Sequence, residues 1–277
     1  AGVANPSGDA RRLVEGVTGA EGVEYHDVLD EDVTERRLHR FDTLLARREA
    51  GEPLQYVLGR WGFRQLDLFV DPRALIPRPE TEQLVEVALA EVDRVARATG
   101  AHHGDRLAVA DLGTGSGAIA LALASERTVV DVYATDVSAA ALAVARANLA
   151  GIGRAATRVR VLEGDWFAAL PPELQGRLAV VVSNPPYVAE HEVLPDEVAH
   201  WEPRGALVAG PEGSEALDHL VHEALAWLVP GGAVVLESAP WQAAEVAALA
   251  LRRGFAEATV RHDLARRPRA VVARAPA

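Results

Sequence analysis

Apolar positions up to about residue 50 recur at helical spacing. Leu38, Phe41, Leu44 and Leu45 fall together among charged neighbours, which predicts helices. Thr34 stands where it can cap the last of these, Arg residues gather toward its end, and Gly51-Glu52-Pro53 stops it. The pattern changes at Leu54. Tyr56, Val57 and Leu58 precede Gly59, and apolar residues roughly alternate from Phe63 to Val70, so Leu54–Val70 reads as a β-hairpin or extended linker. Asp71-Pro72 and Ile76-Pro77-Arg78-Pro79 form a loop, because proline restricts both itself and the residue before it. A helix is predicted from Thr81 to about Thr99.

After Gly104, strand and helix alternate. Strands are predicted at Leu107–Leu112, Val129–Thr135, Val159–Leu162, Leu178–Val182, Ala233–Leu236, Ala258–Arg261 and Ala270–Ala273. Helices are predicted at Ala118–Ser125, from a Ser138 cap to Ala150, at Glu215–Leu228 and at Gln242–Arg253. Near-continuous apolar strands separated by helices fold as a doubly wound, mostly parallel α/β sheet.

Composition narrows the chemistry. The 277 residues are 49% apolar but only 5% aromatic, which is material for a large aliphatic core. With no Cys there is no disulfide, thiolate nucleophile or Cys-type zinc site. All 28 basic residues are Arg, which excludes a Schiff-base lysine and a phosphate loop ending in Gly-Lys-Ser/Thr. A net charge of −12 disfavours general nucleic-acid binding. No apolar run approaches the ~20 residues of a membrane span, and Ala1–Ala10 has no basic region followed by an apolar one. A cytoplasmic monomer is expected.

Four constellations carry candidate chemistry. Asp111-Leu112-Gly113-Thr114-Gly115-Ser116-Gly117-Ala118 follows the first α/β strand, where glycines let the backbone turn tightly and approach a ligand. Gly113, Gly115 and Ala118 also satisfy a dinucleotide fingerprint. Asp111 would repel a pyrophosphate but pair with the ammonium of a methionine-like tail. Asp136 ends the next strand, ~20 residues on, where a carboxylate holds ribose hydroxyls, without choosing between the two kinds of nucleoside. Asp165 and Trp166, in Gly164-Asp165-Trp166-Phe167, are placed to flank an adenine; two aromatics closing a core would look the same.

Ser183-Asn184-Pro185-Pro186-Tyr187 decides between the readings. It follows an apolar strand, so it lies at the same sheet edge as the glycine loop. The Asn184 side chain and the Pro185 carbonyl can accept both protons of one planar –NH2 group. An amide nitrogen is a poor nucleophile because its lone pair is delocalised. Holding both protons and aiming the nitrogen at an electrophilic methyl favours pyramidalisation, so catalysis is positioning and electrostatics. Tyr187 would wall the substrate pocket.

Asn-Pro-Pro-Tyr with Asp-x-Gly-x-Gly-x-Gly resembles the class I methyltransferases that act on planar nitrogens. Gly51-Glu52-Pro53-Leu54-Gln55-Tyr56-Val57-Leu58-Gly59, Phe63, and Ile76-Pro77-Arg78-Pro79-Glu80-Thr81-Glu82 narrow the resemblance to the release-factor glutamine methyltransferase family (PrmC/HemK). Trp201-Glu202-Pro203, Ala206-Leu207, Pro230-Gly231-Gly232 and Asp263-Leu264-Ala265 agree with it. The resemblance runs from about residue 1 to 273.

It implies a seven-stranded doubly wound, Rossmann-like class I methyltransferase sheet. It also implies a small helical release-factor-recognition domain (1–52), a β-hairpin linker (53–75) and a methyltransferase domain (76–277). S-Adenosylmethionine is implied at Asp111, Gly113, Thr114, Gly115, Ser116, Gly117, Asp136, Asp165, Trp166 and Asn184. Asn184, Pro185, Pro186 and Tyr187 are implied to hold the glutamine of the Gly-Gly-Gln loop of a class-1 release factor, with Asn184 and Pro185 catalytic. The chain departs from the family in three places. It enters the first helix late, at Ala1-Gly2-Val3; Glu237-Ser238-Ala239-Pro240-Trp241 replaces a more usual Glu-His-Gly; and Arg266-Arg267-Pro268-Arg269 varies a position that is commonly Gly.

Three rival activities remain. A ribosomal-protein glutamine methyltransferase shares the amide chemistry but fits Pro77–Thr81 less well. An adenine or guanine amino-group nucleic-acid methyltransferase is disfavoured by the acidic charge. A dinucleotide-dependent oxidoreductase leaves Asn-Pro-Pro-Tyr unexplained. His102-His103 falls in a loop, and His219 and His222 can share a helix face; without further ligands nearby, no metal is expected.

Overall fold

The computed structural model describes residues 5–100 and 105–277. The late helix entry at Ala1-Gly2-Val3 and the His102-His103 loop lie outside them. The first helix, α1 (Pro6–Thr18), starts with the Asn5 side chain accepting from the Gly8 N–H and stops at Gly19 in a left-handed conformation. A short α2 (Glu24–Asp27) leads to α3 (Glu35–Glu49), whose cap is Thr34, accepting from the Arg37 N–H. Phe41, Leu44 and Leu45 pack against a small core of Leu13, Leu54 and Val57. Leu38, of the same helical set, is 53% exposed and, among the described residues, does not join that core.

The expectation of extended chain from Leu54 is corrected: Leu54–Leu58 is a helical turn, α4. Pro53 sets its entry, Gly59 at φ 72° ends it, and Leu54 and Val57 reach the same core by i,i+3 spacing. The hairpin itself is confined to β1 (Arg60–Phe63) and β2 (Leu66–Phe69), with Phe63 opposite Leu66.

The long helix α5 (Pro79–Thr99) buries Thr81, Leu84, Val85, Ala88, Leu89, Val92 and Val95, a single helical stripe. There follow β3 (Leu107–Leu112), α6 (Ala118–Glu126), β4 (Val130–Asp136), α7 (Ala139–Gly151), β5 (Val159–Glu163) and β6 (Leu178–Ser183). After them come β7 (Val188–Ala189), α8 (Asp196–Trp201), β8 (Val208–Gly210), α9 (Glu215–Trp227), β9 (Leu228–Glu237), α10 (Ala243–Arg252), β10 (Glu257–His262) and β11 (Pro268–Arg274). The seven-stranded sheet has the order β10-β11-β9-β6-β3-β4-β5, parallel except that β11 runs against both neighbours.

This is the expected doubly wound, Rossmann-like architecture. One apolar cluster, containing α5 and α6, covers one sheet face, and a second, containing α9 and α10, covers the other. β6 is buried throughout, which is why it reads as an unbroken apolar run. α8 and the two-stranded β7–β8 pair were not anticipated; they are too short to leave a periodic signal.

The chain order reverses between β3 and β6. In such sheets the crevice beyond the carboxyl ends at that reversal is where ligands bind. The two ends are tied together: the Ser183 hydroxyl donates to the Leu112 carbonyl at 2.6 Å. Asn148 of α7 joins the hairpin to the glycine loop, donating to the Phe69 and Ser116 carbonyls and accepting from the Phe69 N–H. Among the described residues, no helix is long and apolar enough to cross a membrane.

Candidate active site

A cavity of about 340 Å³ opens at that reversal point. Gly113, Gly115, Asp136, Gly164, Asp165, Trp166, Asn184 and Pro186 line it, so the four constellations read from the sequence come together on one surface. Ala74 and Leu75 from the loop before α5, and Pro203 and Gly205 after α8, complete the wall.

The glycine loop turns through left-handed backbone at Gly113 (φ 72°), Gly115 (φ 57°) and Gly117 (φ 86°). A Cβ at Gly113 would sit 3.1 Å from the Trp166 ring, so the glycine allows that ring to close against the loop. Trp166 itself holds φ 40°, a strained conformation for a bulky residue and of the kind kept where a side chain must be aimed. Its neighbour Phe167 is buried and stacked on Trp227 at 5.6 Å. The two aromatics therefore divide the alternatives open to them: Phe167 closes the core and Trp166 faces the cavity.

Asp136 accepts from the Gly115 N–H at 2.8 Å through Oδ2 and from the Ser138 N–H at 2.9 Å through Oδ1. Burial raises its carboxyl above the ordinary range, and its backbone hydrogen bonds oppose the rise. Each oxygen keeps a lone pair for a ligand hydroxyl. Asp111 is 0% exposed and lies behind the loop. Its Oδ2 takes the Thr114 hydroxyl at 2.6 Å and the Ala120 N–H at 3.0 Å, while Oδ1 has no partner among the described residues. Burial pushes this carboxyl up to about 7, so a cation brought against the loop would favour its ionised form.

Asn184 follows β6 directly. Its Nδ2 donates to the Thr81 hydroxyl oxygen at 3.2 Å. Thr81 in turn donates to Glu237 Oε2 at 2.8 Å, and the Tyr187 hydroxyl lies 3.5 Å from Glu237 Oε1. Tyr187 is pushed up to about 12, by burial first and then by the Glu237 charge, so its hydroxyl stays protonated. Pro185 is buried, and the Tyr187 carbonyl accepts from Gln242 Nε2 at 3.1 Å.

Thr81 and Glu237 were quoted in the sequence only as parts of longer strings, with no role at the site. A signal existed for Glu237: like Asp111, Asp136 and Asn184, it is a polar residue at the carboxyl end of an apolar strand. Glu202 is a further residue with no such strand signal. Buried after α8, it pairs with Arg78 and accepts from the Ile76 N–H at 3.2 Å, pinning the Pro77–Pro79 loop beside the cavity. His219 faces Trp166, with ring centroids 6.5 Å apart. Among the described residues, no group of three or more His, Asp or Glu could hold a metal ion.

A family model described as the PrmC N-terminal domain matches residues 1–59, and one described as the methyltransferase small domain matches residues 92–201. A release factor glutamine methyltransferase from Burkholderia pseudomallei is 43% identical over 272 residues, covering 97% of this chain and 92% of that protein. One from Streptomyces coelicolor is 40% identical over 277 residues, covering 99% and 92%. A solved methyltransferase structure from Pyrococcus furiosus shares the fold at TM-score 0.52 and 18% identity, covering 88% of this chain and 100% of that one. With such identity along nearly its whole length, the chain belongs to the release factor glutamine methyltransferase family.

Proposed function

We propose that this chain transfers a methyl group from S-adenosylmethionine to the side-chain amide of the glutamine in the Gly-Gly-Gln loop of class-1 peptide release factors. One observation carries the reading: Asn184, the first residue after β6, shares one cavity with the glycine loop, Asp136 and Trp166. A donor of methyl groups and a planar nitrogen would thus meet across a short gap.

The cavity fits the cofactor in three respects. Its loop presents backbone at Gly113–Gly117, with Thr114 and Ser116 buried within it, Asp136 offers acceptors for ribose hydroxyls, and Trp166 gives a ring face beside Asp165 for adenine. Asp111 shapes the loop from behind. When bound, S-adenosylmethionine supplies an electrophilic methyl on a sulfonium centre.

The protein's own part is to hold the nucleophile. Asn184 Oδ1 and the Pro185 carbonyl accept the two amide protons, Pro186 stiffens the segment, and Tyr187 walls the pocket. No strong base is needed before methyl transfer, since both amide protons are held and pyramidalisation frees the nitrogen lone pair; once methylated, the nitrogen would carry a positive charge and release one of the two protons to solvent. Residues 1–52 serve as the release-factor-recognition domain, 53–75 as the linker and 76–277 as the catalytic domain.

Peptide-resolved mass spectrometry of a class-1 release factor incubated with this protein and S-adenosylmethionine tests the reading. One methyl group on the Gly-Gly-Gln glutamine is expected. Transfer instead to a ribosomal protein or a nucleic-acid base, with that glutamine unmodified, would overturn the substrate.

A further inference from the structure

The Asn184–Tyr187 segment is braced from beneath by groups remote in sequence. Glu237 ends β9, the strand beside β6, and is 1% exposed. One of its oxygens accepts the Thr81 hydroxyl at 2.8 Å and the other faces the Tyr187 hydroxyl at 3.5 Å. A single carboxylate therefore touches the last residue of the motif and, through Thr81, the first. Thr81 is itself 4% exposed. Its hydroxyl has one proton, and that proton is given to Glu237. Toward Asn184 the Thr81 oxygen can then only accept, and it does so from Nδ2 at 3.2 Å.

We propose that Glu237, acting through Thr81, fixes the amide of Asn184 with its oxygen toward the substrate, and that Glu237 and Thr81 are positioning residues for methyl transfer. The inference rests on the reading of Asn184 as an acceptor of a substrate amide proton. An amide committed to Thr81 through nitrogen presents oxygen on its opposite side. The flipped amide would set an –NH2 against the substrate –NH2, two donors facing each other.

The direction of the chain depends on the charge of Glu237. An ionised carboxylate only accepts, so Thr81 donates to it and Asn184 is held oxygen-outward. A protonated Glu237 can donate to Thr81, whose hydroxyl then turns to Asn184 and selects the flipped amide. The groups acting on Glu237 come from three further elements. Glu80 and Thr81 belong to α5, Tyr187 follows β6, and Arg269 lies on β11. Burial, with Glu80, raises the carboxyl; Thr81, Arg269 and Tyr187 pull it down; the balance leaves it at about 7. The rate of transfer should rise with pH through that value.

Single-turnover transfer to a release factor is to be measured between pH 6 and 9 for the parent, Glu237→Gln, Thr81→Val, Thr81→Ser and Asn184→Ala. The thermal midpoint and S-adenosylhomocysteine affinity of each serve as controls. At pH 8, Glu237→Gln and Thr81→Val should lower the rate roughly 10- to 100-fold with cofactor affinity within about twofold. Thr81→Ser keeps the hydroxyl and should stay near the parent. The parent rate should rise roughly tenfold from pH 6 to pH 8, following a group at about 7, and the Thr81→Val rate should not. If Glu237→Gln fails to fold, the Thr81 pair decides alone. A folded Thr81→Val with the parent's rate and pH profile, beside an inactive Asn184→Ala, overturns the brace and leaves the amide reading standing. Asn184→Ala at the parent rate removes that reading itself.

Discussion

At the glycine loop, the cavity surface is mostly backbone. Gly113, Gly115 and Gly117 turn it, and Asp111 and Asp136 hold it by accepting N–H groups from Ala120, Gly115 and Ser138. Across the cavity the surface is side chain, from Asn184 and Pro186. Asn184 and, behind the surface, Tyr187 are held by Thr81 and Glu237, and the loop beside them by Arg78 and Glu202. The first wall is assembled from residues close in sequence at neighbouring strand ends. The second draws on α5, β6, α8 and β9, more than 150 residues apart between Thr81 and Glu237. A backbone wall can grip a ligand common to many enzymes, whereas a side-chain wall can be tuned to one acceptor group.

The comparison assigns separate losses to the two walls, and the largest belongs to the side-chain wall. Asn184→Ala should lower kcat by roughly 10²–10³-fold, the range found when one preorganised hydrogen-bonding group at a reacting centre is removed. S-Adenosylhomocysteine binding should remain within about threefold by calorimetry. A parallel loss of cofactor affinity would show that the walls are not independent. Next comes Asp136→Ala, which removes the acceptor of the Gly115 and Ser138 N–H groups together with the proposed ribose contact. Hydrogen bonds to a charged group contribute about 1.5–3 kcal/mol, so cofactor affinity should fall roughly 10- to 100-fold. Unchanged affinity would remove Asp136 from the ligand.

The same contrast explains what was legible in the sequence. Strand periods, the loop glycines, Asp136 and Asn184 are local signals, and the sequence alone puts Asn184 at the same sheet edge as the glycine loop. Leu54–Leu58 misled because five apolar-rich residues suit a strand or a helical turn, and only the Leu13 core selects the turn. Arg78–Glu202 and Thr81–Glu237 were invisible for a different reason. Each pair joins residues that only the wound topology makes neighbours, and neither has a fixed spacing. Arg78, Thr81 and Glu202 nonetheless sit inside strings that mark the family resemblance, whereas Glu237 opens a string where the chain departs from it.

Gly113→Ala probes the backbone wall more gently. A non-glycine residue in left-handed backbone costs about 1–2 kcal/mol, and the added Cβ would press on Trp166 at 3.1 Å. Cofactor affinity should drop about tenfold, with a shift in Trp fluorescence as the ring is displaced. Single-turnover kcat at saturating cofactor should change little. A fall in kcat without a fall in affinity would place Gly113 on the acceptor side.

The smallest effect concerns a feature that both walls share: Asp111 and Glu237 are buried carboxyls each raised to about 7. A carboxyl whose pKa is higher folded than unfolded binds its proton more tightly in the native state. It contributes stability that is complete below about pH 4 and is lost as pH rises through about 7. The thermal midpoint of the cofactor-free protein should therefore fall between pH 6 and pH 8, by about 2–4 °C for each such group in a chain of this size. Asp111→Asn should remove its share and leave that of Glu237, and Glu237→Gln should do the converse. S-Adenosylhomocysteine should separate the two. Its ammonium, brought against the glycine loop, favours ionised Asp111, so the pH slope carried by Asp111 should flatten while that of Glu237 persists. If the ligand flattens the slope equally in the Asp111→Asn protein, the positive charge is felt at Glu237 instead, and the two walls form a single electrostatic site.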